Sequence, residues 1–246
     1  LMAHLSGVSR SQLLLYHLRD PAPPGFAALV DRRAGHEPVA YITGRQEFYG
    51  LPLIVSPAVL IPRGDSETLV EAALAVKPDA ARVLDLGTGS GALLLAVLSR
   101  MGQAEGVGID RSDAALAVAL ANSEALGLRP QARFVAGDWH AEGWAQGLGT
   151  FDLVLCNPPY VEADAALDAQ VAAYEPATAL FAGPEGLDDY RVLIPQLRAL
   201  MNPGARAVIE IGANQGDAVS ALAAAAGFAV ELRRDLGGRA RALVLG

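Results

Sequence analysis

The stretch that decides the fold reads Arg82-Val-Leu-Asp-Leu-Gly-Thr-Gly-Ser-Gly91 and continues as a mostly apolar segment to Met101. Its first five residues predict a strand, and residues 91–101 predict a helix. The glycine loop between them (residues 87–91) allows positive φ angles and lets a ligand approach the backbone. A strand, a tight glycine turn and a helix in this order are typical of a ligand-binding α/β sheet.

From residue 82 onward, predicted strands and helices alternate. The strands are predicted at residues 82–86, 106–110, 132–136, 151–156, 205–211, 228–233 and 241–245. The helices are predicted at residues 91–101, 113–126, 187–201 with a kink at Pro195, and 216–226. This alternation predicts an α/β fold with a mostly parallel sheet and helices on both faces. The last two strands leave no room for a helix between them, so they should pair antiparallel at one edge.

The first part of the chain has a different character. Residues 1–40 predict short helices, with a capped start at Ser9 and a break at the prolines after Asp20. Residues 45–62 predict a hairpin with its turn at Gly50, and residues 66–76 return to helical spacing. Leucines stand at helical spacing from Leu1 onward, so we expect a trimmed N-terminus.

Composition restricts the class of protein. The 246 residues are 52% hydrophobic and 19% charged, which indicates a globular, core-rich chain. The net charge of −8 argues against tight binding to a nucleic-acid backbone, which needs clustered Lys and Arg. No apolar run reaches the ~18 residues of a membrane helix, and no signal peptide is recognisable. The chain has one cysteine, Cys156, which cannot form an internal disulfide, so we expect a protein of the reducing cytoplasm. We expect Cys156 to pack in the core.

The glycine loop has the spacing Gly-x-Gly-x-Gly, from Gly87 to Gly91. A dinucleotide-binding loop has the spacing Gly-x-Gly-x-x-Gly, whereas here an acid, Asp85, stands two residues before the first glycine. A carboxylate in that place repels a pyrophosphate and favours a cationic ligand through the loop. S-adenosylmethionine, with an ammonium and a sulfonium group, meets this requirement. The alternative is a glycine turn that only packs the helix close to the strand.

Two further strands end in side chains that suit the same ligand. Asp110 closes the second strand, where an acid commonly accepts hydrogen bonds from ribose hydroxyls. It also suits the cap of the helix after Ser112. We expect Asp138, after the third strand, to accept the adenine amine and Trp139 to lie against the adenine ring. The alternative places Trp139 in the core.

The fourth strand of this series ends in Asn157-Pro158-Pro159-Tyr160, the acceptor turn. Two prolines stiffen the turn and remove two backbone donors. The carbonyls of Asn157 and Pro158 and the Asn157 side-chain oxygen are then acceptors, and Tyr160 supplies a flat face. Such a turn suits a planar group with an NH2, either an amide or the exocyclic amine of a base. The alternative is an ordinary strand-ending turn, since Asn-Pro is a common turn dipeptide.

Together these motifs resemble the class I S-adenosylmethionine-dependent methyltransferases, and the acceptor turn is similar to that of enzymes that methylate adenine N6, cytosine N4 or glutamine N5. Further motifs along the whole chain resemble the HemK-type release-factor glutamine methyltransferases. They are residues 37–50, 60–71, 175–176, 179–180, 183–191 and 235–239. Two departures stand out: Gly64 replaces the family's usual proline, and we expect the N-terminal region to lack roughly the family's first helix.

The resemblance implies a Rossmann-like seven-stranded methyltransferase sheet with a small N-terminal helical domain and a β-hairpin linker. We expect residues 1–44 to dock the substrate, residues 45–66 to form the linker, and residues 67–246 to form the S-adenosylmethionine-dependent methyltransferase domain. The implied reaction moves a methyl group to the side-chain amide N5 of the glutamine in the Gly-Gly-Gln motif of class I peptide chain release factors. S-adenosylhomocysteine is the second product, and the modification modulates translation termination.

The resemblance also implies roles for single residues. The catalytic and substrate-binding residues are Asn157, Pro158, Pro159 and Tyr160. The cofactor-binding residues are Asp85, Gly87, Thr88, Gly89, Ser90, Gly91, Asp110, Asp138, Trp139 and Asn157. Phe48 and Arg63 are placed near the cleft between the two parts, where the alternatives are hairpin core for Phe48 and a surface ion pair for Arg63. We expect a monomer with no metal, no stable nucleic acid and no membrane contact.

Two other functions are compatible with the same turn. A DNA adenine-N6 methyltransferase shares its chemistry, but base flipping needs a basic groove and usually a separate target-recognition region. The chain has neither such an insertion nor a basic excess. A cofactor-binding scaffold without activity is the other alternative, and the intact glycine loop and acceptor turn argue against it.

Overall fold

Four short helices begin the chain in the computed structural model, which describes residues 1–246. They are α1 (Met2–Ser6), α2 (Arg10–Tyr16), α3 (Phe26–Ala34) and α4 (Val39–Thr43). Ser9 caps α2 in a reciprocal capping box, because its hydroxyl accepts from the Gln12 amide while the Gln12 side chain accepts from the Ser9 amide. The predicted helices and the capped start at Ser9 are confirmed.

A hairpin follows the helices. It consists of β1 (Arg45–Phe48) and β2 (Leu51–Ile54), paired antiparallel. The two turn residues, Tyr49 and Gly50, have φ angles of 52° and 76°, as in the turns that match the twist of a hairpin. The turn predicted at Gly50 is confirmed.

Seven strands form the main sheet. They are β3 (Arg82–Leu86), β4 (Glu105–Asp110), β5 (Ala132–Ala136), β6 (Phe151–Cys156), β7 (Met201–Glu210), β8 (Val230–Arg234) and β9 (Ala240–Leu245). Their order is β5-β4-β3-β6-β7-β9-β8, and β9 alone runs antiparallel to its neighbours. The α/β prediction and the antiparallel pairing of the last two strands are confirmed.

Helices cover both faces of this sheet. They are α5 (Glu67–Val76), α6 (Ala92–Arg100), α7 (Asp113–Ala125), α8 (Ala169–Tyr174), α9 (Asp188–Leu193) and α10 (Gly216–Ala225). Short 3-10 helices lie at Gly64–Ser66, Ala177–Ala179 and Ile194–Leu200. No helix combines the length and the apolar character needed to cross a membrane.

Two boundaries differ from the sequence-based expectation. The helix predicted at residues 187–201 is α-helical only to Leu193 and then tightens to a 3-10 helix, because Pro195 has no N–H for the α-helical ladder. Strand β7 begins at Met201 rather than at residue 205. Met201 pairs with Phe151 and Arg206 with Leu153, so the Pro203-Gly204 segment bulges out of the ladder. Helix α8 was not predicted.

Each face of the sheet has its own core. Alternate residues of one strand enter different clusters: Val83 packs under α5 and α6, whereas Leu84 and Leu86 pack on the other face with α9 and α10. Cys156 has no exposed surface and belongs to the second cluster. Burial raises its pKa well above the usual value of a thiol. The expectation that Cys156 packs in the core is confirmed.

Candidate active site

The cavity lies where the order of the strands reverses. Strand β3 is flanked by β4 on one side and β6 on the other, so the loops after β3 and β6 diverge and open a crevice. A cavity of about 520 Å³ fills this crevice. It is lined by residues that follow β3, β4, β5 and β6, by residues 58–66 of the linker and by residues 176–183. Its volume is that of a small-molecule site.

The glycine loop is fixed by the neighbouring strand. The amides of Gly87 and Thr88 both donate to the Ile109 carbonyl, at 2.9 and 2.8 Å. Gly87 has a φ of 72°, and a Cβ on it would lie 3.2 Å from Cη2 of Trp139. Glycine is therefore required there both by the backbone angle and by the indole ring packed against it.

Asp85 lies beneath the glycine loop rather than in the cavity. It is 1% exposed, and one of its carboxylate oxygens accepts a 2.6 Å hydrogen bond from the Thr88 hydroxyl. Its other oxygen, Oδ1, is buried without a partner. Burial raises the pKa of Asp85 to about 7, against the hydrogen bond from Thr88, which favours the ionised form. A cation in the cavity would favour ionisation of this carboxyl through the loop.

Asp110 joins the ends of two loops. Its Oδ2 accepts from the Gly89 amide and its Oδ1 from the Ser112 amide, both at 2.9 Å. Ser112, not Asp110, caps α7, because the Ser112 hydroxyl accepts from the Ala115 amide. Asp110 lines the cavity, and its contact with a ribose stays a prediction.

Trp139 is held in place by a carboxylate. Its indole N–H donates to Oδ1 of Asp189 at 2.8 Å, and the His140 ring nitrogen lies 3.0 Å from the same oxygen. The ring packs on the second core and also lines the cavity, so both interpretations of Trp139 describe part of its surroundings. Asp138 lines the cavity and accepts from the His140 amide at 2.9 Å.

The acceptor turn is anchored from behind and unpaired in front. The amides of Tyr160 and Val161 donate to the Leu180 carbonyl at 3.1 and 2.8 Å. Gln215 Nε2 donates to the Tyr160 carbonyl at 3.0 Å. No hydrogen bond within the protein engages the Asn157 side chain or the carbonyls of Asn157 and Pro158. The turn thus offers three fixed acceptors, and Asn157 lines the cavity.

Tyr160 does not line the cavity. Its ring packs on the second core, and its hydroxyl lies 3.3 Å from Oε1 of Glu210, the last residue of the neighbouring strand β7. The expected flat face toward a guest is therefore turned to the core in this structure. Tyr160 thus anchors the end of the acceptor turn in the second core cluster.

Glu210 is a buried carboxyl group in contact with the Tyr160 hydroxyl. It is 1% exposed, and its Oε2 has no partner. Burial raises the pKa of Glu210 to about 7, although Ser66, Arg241 and the Tyr160 hydroxyl favour its ionised form. Asp65 adds a smaller like-charge effect in the raising direction.

We predict that Glu210→Gln removes part of the pH dependence of stability. A carboxyl group whose pKa rises on folding from 4.5 to about 7 stabilises the folded protein fully below pH 4.5, and this contribution is lost as the pH rises to about 7. The loss is on the order of 3 kcal/mol. Glutamine keeps an acceptor for Tyr160 and does not ionise.

Urea unfolding at about pH 4.5 and about pH 8 measures this effect. The free energy of unfolding of the wild type should fall between the two pH values by more than that of Glu210→Gln. Asp85, whose pKa is also raised, remains in both proteins. The stability of Glu210→Gln should therefore still fall as the pH rises, but less steeply than that of the wild type. An equal difference between the two proteins at both pH values would contradict the assignment.

Phe48 and Arg63 both line the cavity and both fit their alternative interpretations in part. Phe48 is 1% exposed and belongs to the first core cluster. Arg63 forms an ion pair with Glu175, but the Glu175 side chain is buried rather than on the surface. Neither observation assigns a role toward a substrate.

The structure brings most of the predicted site residues to one cavity. Those that line it are Phe48, Arg63, Gly87, Thr88, Gly89, Ser90, Asp110, Asp138, Trp139, Asn157 and Pro159. Asp85, Gly91, Pro158 and Tyr160 are not among the lining residues. Sequence reasoning missed Asp189, Glu210 and Gln215, although an acid inside the apolar run 207–211 is a usable signal for Glu210. No group of three or more His, Cys, Asp or Glu side chains is placed to hold a metal ion, and a metal-free reaction stays a prediction.

Comparison with protein families gives two matches. Residues 77–211 match the model of a methyltransferase domain, and residues 1–44 match that of a PrmC N-terminal domain. A release factor glutamine methyltransferase from Rhodospirillum rubrum is 42% identical over an aligned length of 251 positions, which covers 99% of this chain and 76% of the relative. Those from Caulobacter vibrioides and Salmonella typhimurium are 42% and 39% identical, covering 93% and 98% of this chain and 80% and 88% of the relatives.

Solved structures share the fold. A methyltransferase from Pyrococcus furiosus superimposes with a TM-score of 0.56 at 17% identity, over 89% of this chain and 98% of that one. A ribosomal protein L11 methylase from Lactobacillus delbrueckii subsp. bulgaricus gives 0.55 at 20% identity, over 78% and 83%. The predicted Rossmann-like seven-stranded methyltransferase sheet is confirmed.

Proposed function

Because this chain belongs to the release factor glutamine methyltransferase family, we propose that it methylates the side-chain amide N5 of the glutamine in the Gly-Gly-Gln motif of class I peptide chain release factors. The methyl donor is S-adenosylmethionine, and the modification modulates translation termination. The observation that carries the proposal is the acceptor turn, whose three oxygen acceptors have no partner within the protein and whose Asn157 lines the cavity.

The residues of the cavity fit the proposed cofactor. The orphaned, buried Oδ1 of Asp85 lies under a glycine loop that admits no side chain at Gly87. The residues that would hold S-adenosylmethionine are the glycine loop, with Asp85 acting from beneath it, Asp110, and Asp138 with Trp139. When bound, this cofactor supplies an electrophilic methyl group on a sulfonium centre and leaves as S-adenosylhomocysteine. Asp110 lines the cavity beside the loop, and a bound cation would favour the ionised form of Asp85 beneath it.

The acceptor turn solves the main difficulty of the reaction. An amide nitrogen is a poor nucleophile, because its lone pair is delocalised into the carbonyl. The side-chain oxygen of Asn157 and the Pro158 carbonyl would accept both amide protons, which orients the nitrogen and stabilises the positive charge that develops on it. Pro159 stiffens the turn, and Tyr160 supports it through the Glu210 contact. The nitrogen gains a methyl group and loses one proton.

The remaining parts of the chain fit a protein substrate. We propose that residues 1–44 dock the release factor, that residues 45–66 connect them to the methyltransferase domain of residues 67–246, and that Phe48 and Arg63 contact the substrate segment at the cavity. Two observations support a cytoplasmic location: the proposed substrate is a release factor, which acts in translation, and the single cysteine is free and buried. We propose a monomer without stable nucleic acid or membrane contact.

A DNA adenine-N6 methyltransferase is disfavoured. The chain carries a net charge of −8, whereas base flipping needs a basic groove along the duplex. The relatives compared above are named as release factor glutamine methyltransferases. A scaffold without activity would not explain why the acceptors of the turn have no partner within the protein.

A side-by-side assay tests the proposal. The protein is incubated with radiolabelled S-adenosylmethionine and either a class I release factor or duplex DNA. We expect label in the release factor and none in the DNA, and none in a release factor whose Gly-Gly-Gln glutamine is replaced by alanine. Label in the DNA would favour the alternative enzyme, and label in neither would favour a scaffold.

A further inference from the structure

Two segments that are far apart in sequence form part of the cavity wall outside the cofactor loops. The linker wall comprises residues 58–66, and the second wall comprises residues 176–183. The second wall is continuous with the acceptor turn, because the Leu180 carbonyl accepts from the amides of Tyr160 and Val161. The Ala182 amide also donates to the Val161 carbonyl at 2.9 Å. A shift of the second wall therefore moves the turn.

One buried carboxylate joins these walls. Glu175 directly precedes the second wall, and its side chain is 1% exposed. Its Oε2 accepts from the Ile61 amide at 3.2 Å, and its Oε1 accepts from the Arg63 guanidinium. No other hydrogen bond joins residues 56–66 to residues 161–183. Neither Glu175 nor Ile61 lines the cavity, whereas Leu60, Pro62 and Arg63 do. Any effect of Glu175 on a guest is therefore exerted through Arg63 and through the two neighbours of Ile61.

The surroundings extend this connection to the N-terminal helices. The Tyr41 hydroxyl of α4 donates to the carbonyl of Val59 in the linker wall at 2.6 Å. Tyr174, the residue before Glu175, donates from its hydroxyl to the Gly35 carbonyl at 2.7 Å. Glu175 thus lies at the point where helices, linker and acceptor turn meet.

We propose that Glu175 is a positioning residue that holds the linker wall in register with the acceptor turn and so fixes the part of the cavity that receives the substrate glutamine. The inference rests on the proposed function. Removing the carboxylate leaves the buried Ile61 amide unpaired, while Arg63, whose side chain is 41% exposed, can be hydrated by water. The expected result is a displaced linker rather than an unfolded protein. A displacement of ~1 Å at a reacting group can cost 10²-fold in rate.

The test compares Glu175→Ala, Glu175→Gln and Arg63→Ala with the double variant of Glu175→Ala and Arg63→Ala. Glu231→Gln is the control, because Glu231 pairs with Arg233 on the exposed strand β8, away from the cavity. We expect Glu175→Ala to lower kcat/KM for the release factor roughly tenfold to thirtyfold. Glu175→Gln, which keeps an acceptor for the Ile61 amide, should recover part of this loss. The Kd for S-adenosylmethionine should stay within about twofold in every variant, and Glu231→Gln should match the wild type.

The double variant separates positioning from independent contacts. If Glu175 acts partly through Arg63, the loss in the double variant is smaller than the product of the two single losses. A loss in the double variant equal to the product of the two single losses overturns the inference. A rise in the Kd for S-adenosylmethionine as large as the fall in kcat/KM also overturns it. So does a Glu175→Ala protein with wild-type kcat/KM. If the wild type itself does not methylate the release factor, the proposed function fails instead, and the two failures are told apart by that arm of the assay.

Discussion

Asn157→Ala is expected to lower the rate of methyl transfer to the release factor by roughly 10²–10³-fold, while the Kd for S-adenosylmethionine stays within about threefold. The side-chain oxygen of Asn157 has no partner within the protein, so its removal breaks no internal hydrogen bond. What is lost is the acceptor that orients the amide nitrogen and stabilises the charge growing on it. Such an interaction strengthens in the transition state, so its loss falls on kcat rather than on cofactor affinity.

Single-turnover rates and calorimetric titration of S-adenosylmethionine measure the two quantities. Asn202→Ala is the matched control, because Asn202 also presents an amide but lies at the start of β7, where it donates to Asp152 at 2.8 Å. It should keep the wild-type rate. A wild-type rate in Asn157→Ala would remove the acceptor turn from the mechanism, and a large rise in Kd would assign Asn157 to the cofactor instead.

Gly87→Ala is expected to weaken the binding of S-adenosylmethionine about tenfold to a hundredfold. The new Cβ would lie 3.2 Å from the Trp139 ring, which the hydrogen bond to Asp189 holds in place. In the free protein a shift of the ring toward the cavity by a few tenths of an ångström relieves this contact, and so small a shift keeps the hydrogen bond to Asp189. A bound cofactor takes up that space, so the strain returns on binding.

Gly127→Ala separates this effect from the cost of the backbone angle. Gly127 has a φ of 69°, close to the 72° of Gly87, and no atom lies within 4 Å of a Cβ placed on it. Both substitutions should lower the free energy of unfolding by about 1–2 kcal/mol, but only Gly87→Ala should raise the Kd in calorimetric titration. Equal Kd values for the two variants would place the cofactor away from the glycine loop.

The parts of the site that could be predicted are those fixed by the ends of strands. Gly87, Asp110 and Asn157 each follow a parallel strand, and parallel strands place their carboxyl ends at one edge of the sheet. Strand periodicity is a local property, so these residues converge for any register that keeps the core buried. The capped start at Ser9 and the turn at Gly50 are equally local.

The orientation of side chains at that edge could not be predicted. Tyr160 was expected to present a flat face to the ligand, yet its hydroxyl turns to Glu210. Asp85 was expected to act through the loop, and it lies beneath the loop with a hydrogen bond from Thr88. The orientation of Tyr160 depends on which neighbouring strand supplies a partner. Glu210 comes from β7, 50 residues after Tyr160 in the chain. A pattern read along one strand contains no information about the next one in the sheet.

Long-range pairs were also beyond the sequence. Glu175 and Arg63 are 112 residues apart, and each was singled out only through a family motif. Their contact depends on how the linker folds back over the sheet. Helix α8, which ends just before Glu175, has only six residues and too little apolar periodicity to be distinguished from a loop.

The most direct test of the central claim is tandem mass spectrometry of a class I release factor after incubation with this protein and S-adenosylmethionine. We predict one added methyl group on the side-chain amide nitrogen of the Gly-Gly-Gln glutamine, and its near absence when Asn157→Ala replaces the wild type. A methyl group found at another residue, or an unmodified release factor together with methylated adenine in duplex DNA, would contradict the account.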